Sequence, residues 1–313
     1  MPKVSVIIPN YNHARFLNQR IDSVLNQSFQ DFEVIILDDC STDNSREIIE
    51  AYREHPKVSH VIFNEQNSGS PFAQWYRGFG VTNGELIWIA ESDDYASVDF
   101  LEKLIPYINA ATGLAYCDSL ETDEDGRQLG RWSRWQDHFS ENIWISDFER
   151  GGEWLNENYH SLYNIIPNAS SAIFKRNLVP PQVAVSEVVK MRYVGDWYVW
   201  QLIFKKTQVY YHHQALNYFR NHPSSTRADQ TLLTQKATEY YRALKSFLSQ
   251  QTVRTKSADL ERRLSEIFDA WKLGAKSLLK ISVWRSLLIA YSIDKKIFSR
   301  VFDKILNTKS GAQ

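Results

Sequence analysis

At 313 residues, with 43% hydrophobic side chains and a formal net charge of −1, the chain has enough apolar content for a sizeable core. It has neither the basic field of a nucleic-acid binder nor the acidic excess of a disordered polypeptide. Charge is nevertheless divided unevenly, because Thr231 to Gln313 holds 16 Lys/Arg against 7 Asp/Glu and leaves the preceding residues near −10.

The first 120 residues alternate short β-branched runs with longer amphipathic stretches, the pattern of parallel strands joined by crossover helices. Strands are expected at Val4 to Pro9, Glu33 to Asp38, Val58 to Phe63, Leu86 to Ala90 and Leu114 to Tyr116. Helices are expected at Ala14 to Gln27, Ser45 to Glu54, Pro71 to Val81 and Val98 to Asn109, the second opening behind a cluster of N-cap residues, Ser41-Thr42-Asp43-Asn44. The fold class is therefore an open, mostly parallel α/β sheet. Asp125-Gly126 reads as a hairpin turn. A long aromatic stretch follows from Trp132 to Tyr163, with tryptophans at 132, 135, 144 and 154. It packs a lid or subdomain on the sheet, or forms an aromatic wall on which a sugar ring can stack. Beyond Arg227 the pattern is helical through Leu306, with helices at Leu232 to Ser249, Ala258 to Lys280 and Val283 to Ile289, read as a helical region (228–313) appended to a catalytic domain (1–227).

Met1-Pro-Lys3 runs directly into Val4-Ser-Val-Ile-Ile-Pro9, too short an apolar run for an export signal. Leu278 to Ile293 is interrupted by Lys280 and Arg285 and falls short of the roughly 18 to 20 apolar residues of a spanning helix. Cys40 and Cys117 lie far apart without metal-ligand spacing, so neither a disulfide framework nor a zinc site is expected and a reducing cytoplasm fits.

In open α/β sheets ligands bind beyond the carboxyl ends of the strands. The first strand ends in Pro9-Asn10-Tyr11-Asn12, where Tyr11 is available to a nucleobase or belongs to an ordinary turn. The second ends in Asp38-Asp39, two carboxylates of which one can cap the next helix and the other accept hydrogen bonds from a base or ribose. The fourth ends in Glu91-Ser92-Asp93-Asp94, a cluster that repels itself unless a cation neutralises it; hard divalent ions prefer such oxygen ligands, so a metal-diphosphate site is expected. Gly195-Asp196 opens an apolar helical run, and in isolation Asp196 is an N-cap. Arg220 and His222 occupy alternate positions at a strand end, facing one side, where a cation and an imidazole can meet a phosphate.

The order of these segments resembles the family 2 glycosyltransferases, nucleotide-sugar enzymes of the GT-A fold, a Rossmann-like open sheet flanked by helices. Val4-Ser-Val-Ile-Ile-Pro-Asn-Tyr-Asn12 resembles that family's opening strand and base-contacting loop, and Leu37-Asp-Asp-Cys-Ser-Thr-Asp-Asn-Ser45 its second strand. Asn67-Ser-Gly69 and then Gly84-Glu-Leu-Ile-Trp-Ile-Ala-Glu-Ser-Asp-Asp94 resemble the approach to its metal-binding Asp-x-Asp motif, with Glu91 standing where an aspartate is usual. Ala73-Gln-Trp-Tyr-Arg77 departs from the family's Ala-Arg-Asn segment. The likeness covers Val4 to Thr226. It implies donor contacts from Pro9, Tyr11, Asn12, Asp39, Asn67, Gly69, Asp93 and Arg220, and metal ligation by Asp94, Asp93, Glu91 and His222, with Asp94 foremost. It further implies Mn²⁺ or Mg²⁺ as cofactor, Asp196 as catalytic base, and inverting transfer from a nucleotide-diphospho-sugar, UDP being the commonest nucleotide. A glycan or lipid-linked acceptor and a role in surface polysaccharide assembly follow from family habit. Two other classes compete: a sugar-nucleotide pyrophosphorylase, which should carry a glycine-rich loop where Pro9-Asn-Tyr-Asn12 has no glycine, and a non-catalytic nucleotide-sugar or glycan-binding module. The basic tail suits a peripheral membrane contact, a homo-oligomer interface, or a solvated face packed on the catalytic domain.

Overall fold

The computed structural model describes residues 1–132, 136, 139, 141–223, 232–249 and 257–310. Its centre is a ten-stranded sheet: β1 (Val4–Asn10), β2 (Phe32–Asp38), β3 (Val58–Phe63), β4 (Leu86–Ile89), β5 (Tyr95–Ala96), β6 (Thr112–Thr122), β7 (Gln128–Arg131), β8 (Phe148–Gly151), β9 (Ala172–Lys175) and β10 (Gln208–Arg220). The main order is β3-β2-β1-β4-β9-β6-β10-β5, with β7 on β6 and β8 on β10. The four strands β3, β2, β1 and β4 are mutually parallel, and β9 is inserted antiparallel between β4 and β6.

Both faces of this sheet are covered, which explains why its strands read as unbroken apolar runs. Alternate residues feed two separate cores. Val4, Val6, Ile8, Val34, Ile36, Leu86 and Trp88 meet α1 (Ala14–Leu25), α2 (Ser45–Tyr52) and α4 (Phe100–Leu104) on one face. Ile7, Ile35, Leu37, Ile87 and Ile89 meet α3 (Pro71–Phe79), α5 (Gly152–Leu155) and α6 (Gly195–Phe204) on the other. The same core continues into α7 (Leu233–Leu248), α8 (Ser257–Trp271), α9 (Ile281–Tyr291) and α10 (Ile297–Ser310), whose Tyr241, Leu244, Phe268 and Leu287 are buried in it. The helical region thus shares its interior with the sheet domain.

The expected strand at Leu114–Tyr116 is the middle of an eleven-residue strand. After Cys117 its side chains turn polar while the ladder continues, Asp118 meeting Arg131 at 3.3 Å and Ser119 accepting from Asn217 at 2.9 Å. The expected helix at Val98–Asn109 is shorter, α4 giving way to a 3₁₀ turn over Ile105–Tyr107 that contains Pro106, a residue without the amide a helix interior needs. Gly126, with φ +85°, makes the turn between β6 and β7. Trp144 and Tyr159 of the aromatic stretch lie in the core, where the Trp144 indole N–H donates to the Tyr116 hydroxyl at 2.8 Å; Trp154 is partly exposed, and Trp135 lies outside the described residues.

His160 joins the aromatic segment to α6. Its Nε2 donates to the Trp197 carbonyl at 3.1 Å and its Nδ1 accepts from the Ile165 amide, so the ring is held neutral; burial pulls its pKa down to about 3. The folded pKa lies below the unfolded value, so the neutral ring stabilises the fold fully above about pH 6.5 and this contribution is lost as pH falls toward 3. Chemical denaturation of wild type and His160→Gln across that window is expected to show a steeper acid loss in wild type, by up to about 1.4 kcal/mol per pH unit.

Candidate active site

Every segment singled out in the sequence reaches the same edge of the sheet, where β1, β2, β4 and β10 end. After β1 the chain turns through Asn12 in the left-handed region, φ +58°, a conformation asparagine tolerates. Asn12 Oδ1 accepts from the Thr42 amide at 2.7 Å and its own amide donates to Ser41 Oγ at 2.9 Å. Asp38 accepts from Asn10 Nδ2, Ser41 Oγ and the Ser41 amide, which locks the two loops together. The helix cap expected of Asp38 or Asp39 comes instead from Asp43, which accepts from the Ser45 and Ala14 amides. Pro9 is buried within β1, whereas Tyr11 stands 44% exposed above the locked loops.

Asp39 is buried and organises the 64–74 segment. Its carboxylate accepts from Asn64 Nδ2 at 2.5 Å, the Ser68 amide at 2.9 Å, Ser68 Oγ at 2.7 Å and Gln74 Nε2 at 2.8 Å, while its carbonyl accepts from Asn67 Nδ2 at 3.1 Å. Asn67 Oδ1 accepts from the Gly69 amide at 2.6 Å, and Gly69 has φ +73°, open to glycine at little cost. Asp39 is therefore engaged in shaping the loop that carries Asn67 and Gly69.

The acidic cluster divides into three roles. Glu91 is turned inward against α3 and accepts from the Trp75 indole N–H at 2.8 Å; burial and then the charge of Asp93 raise its pKa to about 8. Asp94 is 1% exposed, with Oδ2 accepting from Asn168 Nδ2 at 2.6 Å and Ser170 Oγ at 2.7 Å and Oδ1 from the Arg220 amide at 3.1 Å. Burial and Asp93 raise its pKa to about 7. Arg20, fully buried on the apolar stripe of α1, approaches Asp94 to 4.0 Å and donates to the Glu91 carbonyl at 2.8 Å. Asp93 alone faces outward to other ligand-type groups. His222 Nε2 lies 3.2 Å from its Oδ2, and one ligand atom each from His13, Asp93 and His222 lie within 4.8 Å of one another. Burial opposes ionisation of Asp93, yet the two imidazoles more than offset it and hold the carboxyl well below the usual range. Neither Asp94, expected as the foremost metal ligand, nor Glu91 beside it joins this cluster: Asp94 is enclosed by buried hydrogen bonds and Glu91 is turned toward Trp75.

Arg220 is not open to a phosphate either. It is 2% exposed; Nε donates to the Asp93 carbonyl at 2.8 Å, Nη1 to the Glu124 carbonyl at 3.0 Å and Nη2 to Gln19 at 2.5 Å, and the guanidinium lies over Phe16. The alternate spacing of Arg220 and His222 does bring both onto Asp93. His13, Arg20, Asn168 and Ser170 were not anticipated. A histidine directly after Asn12 and an arginine inside an apolar helical stripe were the available signals for the first two.

Asp196 lies in the first turn of α6, half-buried, where Oδ2 accepts from Asn164 Nδ2 at 2.7 Å. Its position is set by close packing on α3. A Cβ at Gly195 would meet the Phe72 ring at 2.4 Å, and Ser70 Oγ donates to the Met191 carbonyl at 2.7 Å. From the opposite side, the buried Glu239 of α7 accepts from the Arg192 and Tyr193 amides at 3.1 and 2.8 Å. The loop shaped by Asp39 and the helix bearing Asp196 are thus neighbours.

The sequence model of glycosyl transferase family 2 matches residues 5–170, and the chain belongs to that family. It is 26% identical over 201 residues, 63% of this chain and 56% of that protein, to an uncharacterized glycosyltransferase of Nostoc. It is 37% identical over 107 residues, 34% of this chain and 42% of that protein, to TuaG, a putative teichuronic acid biosynthesis glycosyltransferase of Bacillus subtilis. The matched part thus spans about half the length of these relatives. Among solved structures, residues 1–349 of Staphylococcus aureus TarS with UDP-GlcNAc superpose with a TM-score of 0.64 at 17% identity, covering 94% of this chain and 82% of that one. A mannosyltransferase of Pyrobaculum calidifontis with GDP-Man and Mn²⁺ gives 0.57 at 15% identity, covering 94% and 76%. The fold is accordingly GT-A, a mixed, mostly parallel sheet flanked by helices with a helical C-terminal region.

Replacing Asp39 with Ala leaves Asn64, Ser68 and Gln74 without their shared acceptor. The expected result is a loss of about 1–3 kcal/mol in stability, with the Ser68 amide losing protection in hydrogen exchange.

Proposed function

We propose that this chain transfers a sugar from a nucleoside-diphosphate donor to an acceptor hydroxyl, with inversion at the anomeric carbon. The observation that carries this is the convergence of Asp93 and His222 at the mouth of a GT-A sheet beside a helix that presents Asp196. One carboxylate oxygen and two imidazole nitrogens within 4.8 Å are a donor set that fits a divalent cation, and the nitrogen ligands favour Mn²⁺ over the harder Mg²⁺. Asp93, His222 and His13 would hold it. When bound, such an ion supplies charge neutralisation to a leaving diphosphate.

The remaining work falls to the protein itself. Tyr11, exposed above the Asn12–Thr42 and Asp38–Ser41 hydrogen bonds, offers its ring to the base. Asn67 and Gly69 shape the exposed loop tied down by Asp39, whose backbone would line the donor site. Pro9 and Arg220 act from beneath, Pro9 as part of the β1 floor and Arg220 by fixing the carbonyl of Asp93. Asp196, steadied by Asn164, takes the acceptor proton as the acceptor oxygen bonds the anomeric carbon and the bond to the diphosphate breaks. The acceptor belongs to a glycan or lipid-linked chain of a surface polysaccharide, a reading supported by the teichuronic-acid and poly(ribitol-phosphate) names of the relatives TuaG and TarS. Both cysteines are free, which suits a reducing cytoplasm.

Release of nucleoside diphosphate from UDP-, GDP- and dTDP-sugars, with and without Mn²⁺, tests the reading. One donor should turn over, giving a product whose anomeric configuration by NMR is opposite to the donor's. Asp196→Asn retains an oxygen for Asn164 and is expected to lower turnover about 10²-fold or more without weakening donor binding. A near-normal rate in that variant would remove Asp196 as base. His222→Ala is expected to abolish the metal dependence of donor binding, and unchanged metal dependence would refute the assignment of the cation site.

A further inference from the structure

Helix α9 is apolar almost all the way round. Val283, Leu287 and Ala290 point into the core, as expected of a packed helix, yet Ile281, Trp284, Leu288 and Tyr291 repeat at three- and four-residue spacing on the opposite side. A helix apolar on every side is ordinarily surrounded by protein or lipid. Here, among the described residues, the second face is uncovered: Ile281 is 73% exposed and Leu288 64%. The face does not end with the helix. Tyr291 packs on Phe298 of α10 with ring centroids 5.5 Å apart, and Phe302, one turn further and 63% exposed, continues the same surface.

The charges around this surface are mostly positive, although Asp303 is exposed beside Phe302 and Glu261 pairs with Lys296 at 2.5 Å and with Arg300 at 3.9 Å. From Lys272 to Phe302 the chain carries seven Lys/Arg and a single acidic residue, Asp294. Asp294 is 3% exposed and faces Arg300 at 3.3 Å, so it presents no negative charge outward. Arg285 extends from α9 beside Leu288, and the Lys295 ammonium lies 4.4 Å from the centre of the Tyr291 ring.

We infer that the α9–α10 face is a peripheral docking surface for a membrane carrying anionic lipid headgroups. Leucine, isoleucine and phenylalanine enter the headgroup–acyl boundary, Trp284 and Tyr291 take the interfacial level suited to an apolar ring with a polar tip, and the cationic rim meets the lipid phosphates. The contact lies in the interface plane, since no helix among the described residues is long and apolar enough to cross a bilayer. A second copy of the chain would also cover apolar surface, but its own rim carries the same positive sign, and like charges would be brought together. The inference goes beyond the proposed transfer reaction and stands independently of whether a donor is found.

Flotation of the full chain with vesicles of phosphatidylcholine alone, or of phosphatidylcholine with phosphatidylglycerol, tests it. The expected result is recovery with the anionic vesicles, weaker recovery with neutral ones, and a loss on raising salt. Leu288→Ser with Phe302→Ser, both at exposed positions, is expected to lower the vesicle partition coefficient roughly tenfold or more at unchanged melting temperature. Lys280→Glu with Arg285→Glu is expected to abolish the preference for anionic vesicles while leaving weak neutral binding. Vesicle partitioning of Leu288→Ser/Phe302→Ser equal to wild type would overturn the inference. So would absence of vesicle binding in wild type combined with a concentration-dependent dimer, seen in sedimentation, that the same double variant abolishes; the face would then join two copies.

Discussion

The site is built around a carboxylate that never reaches solvent. Asp94 is buried at the end of β4, and a charge in that position is tolerable only if its oxygens are fully occupied and cations lie near. Its partners come from three places in the chain: Asn168 and Ser170 ahead of β9, the amide of Arg220 at the end of β10, and Arg20 on α1. Meeting those requirements draws the ends of β4 and β10 together, and Asp93, next to Asp94, and His222, two residues beyond Arg220, are thereby set face to face. Asp93 and Asp94 are adjacent in sequence, yet burial encloses Asp94 in the scaffold while Asp93 stands against His13 and His222. The divided pKa shifts, Asp93 lowered and both Asp94 and Glu91 raised, express the same constraint, for three neighbouring carboxyls cannot all carry charge in a dry site.

Around that pin the other segments are held by comparable internal bonds. Asp38 joins the β1 and β2 loops, Asp39 shapes the 64–74 loop, and Glu91 is tied to α3 through Trp75. Helix α3 then packs against Gly195 and so fixes Asp196, while Glu239 braces the preceding turn from the helical region. The helical region is thus coupled to the start of α6 through hydrogen bonds as well as through a shared core. Many of the polar residues that cluster after the strands are spent on preorganising backbone, which leaves Tyr11, His13, Asp93, His222 and Asp196 as the set to which the proposed function gives ligand contacts.

The sheet was legible because doubly covered strands are continuous apolar runs, and β1 to β4 fall within a residue or so of the expected positions. β9 was missed: four residues, Ala172–Lys175, following a polar turn give no distinguishing pattern, and an antiparallel insertion breaks the alternation that identified the rest. The far half of β6 was missed because its side chains are polar and bonded to neighbours that only the fold supplies. At the site, motif spacing brings the acidic segment to the end of β4 but does not show how its carboxylates divide. Motif spacing places Glu91, Asp93 and Asp94 together; which of them points outward depends on Trp75, Asn168 and Ser170, residues remote in sequence. His13 directly follows Asn12, but its partners Asp93 and Ser92 lie some eighty residues away, so its place in the cluster comes only from the fold.

The division between Asp93 and Asp94 is tested most directly by Mn²⁺ binding, followed by electron paramagnetic resonance in the presence of UDP, on folded wild type, Asp93→Asn and Asp94→Asn. The account predicts that Asp93→Asn loses the bound ion at near-normal melting temperature, while Asp94→Asn keeps the ion and melts lower. Retention of Mn²⁺ by Asp93→Asn together with its loss in a stably folded Asp94→Asn would contradict it.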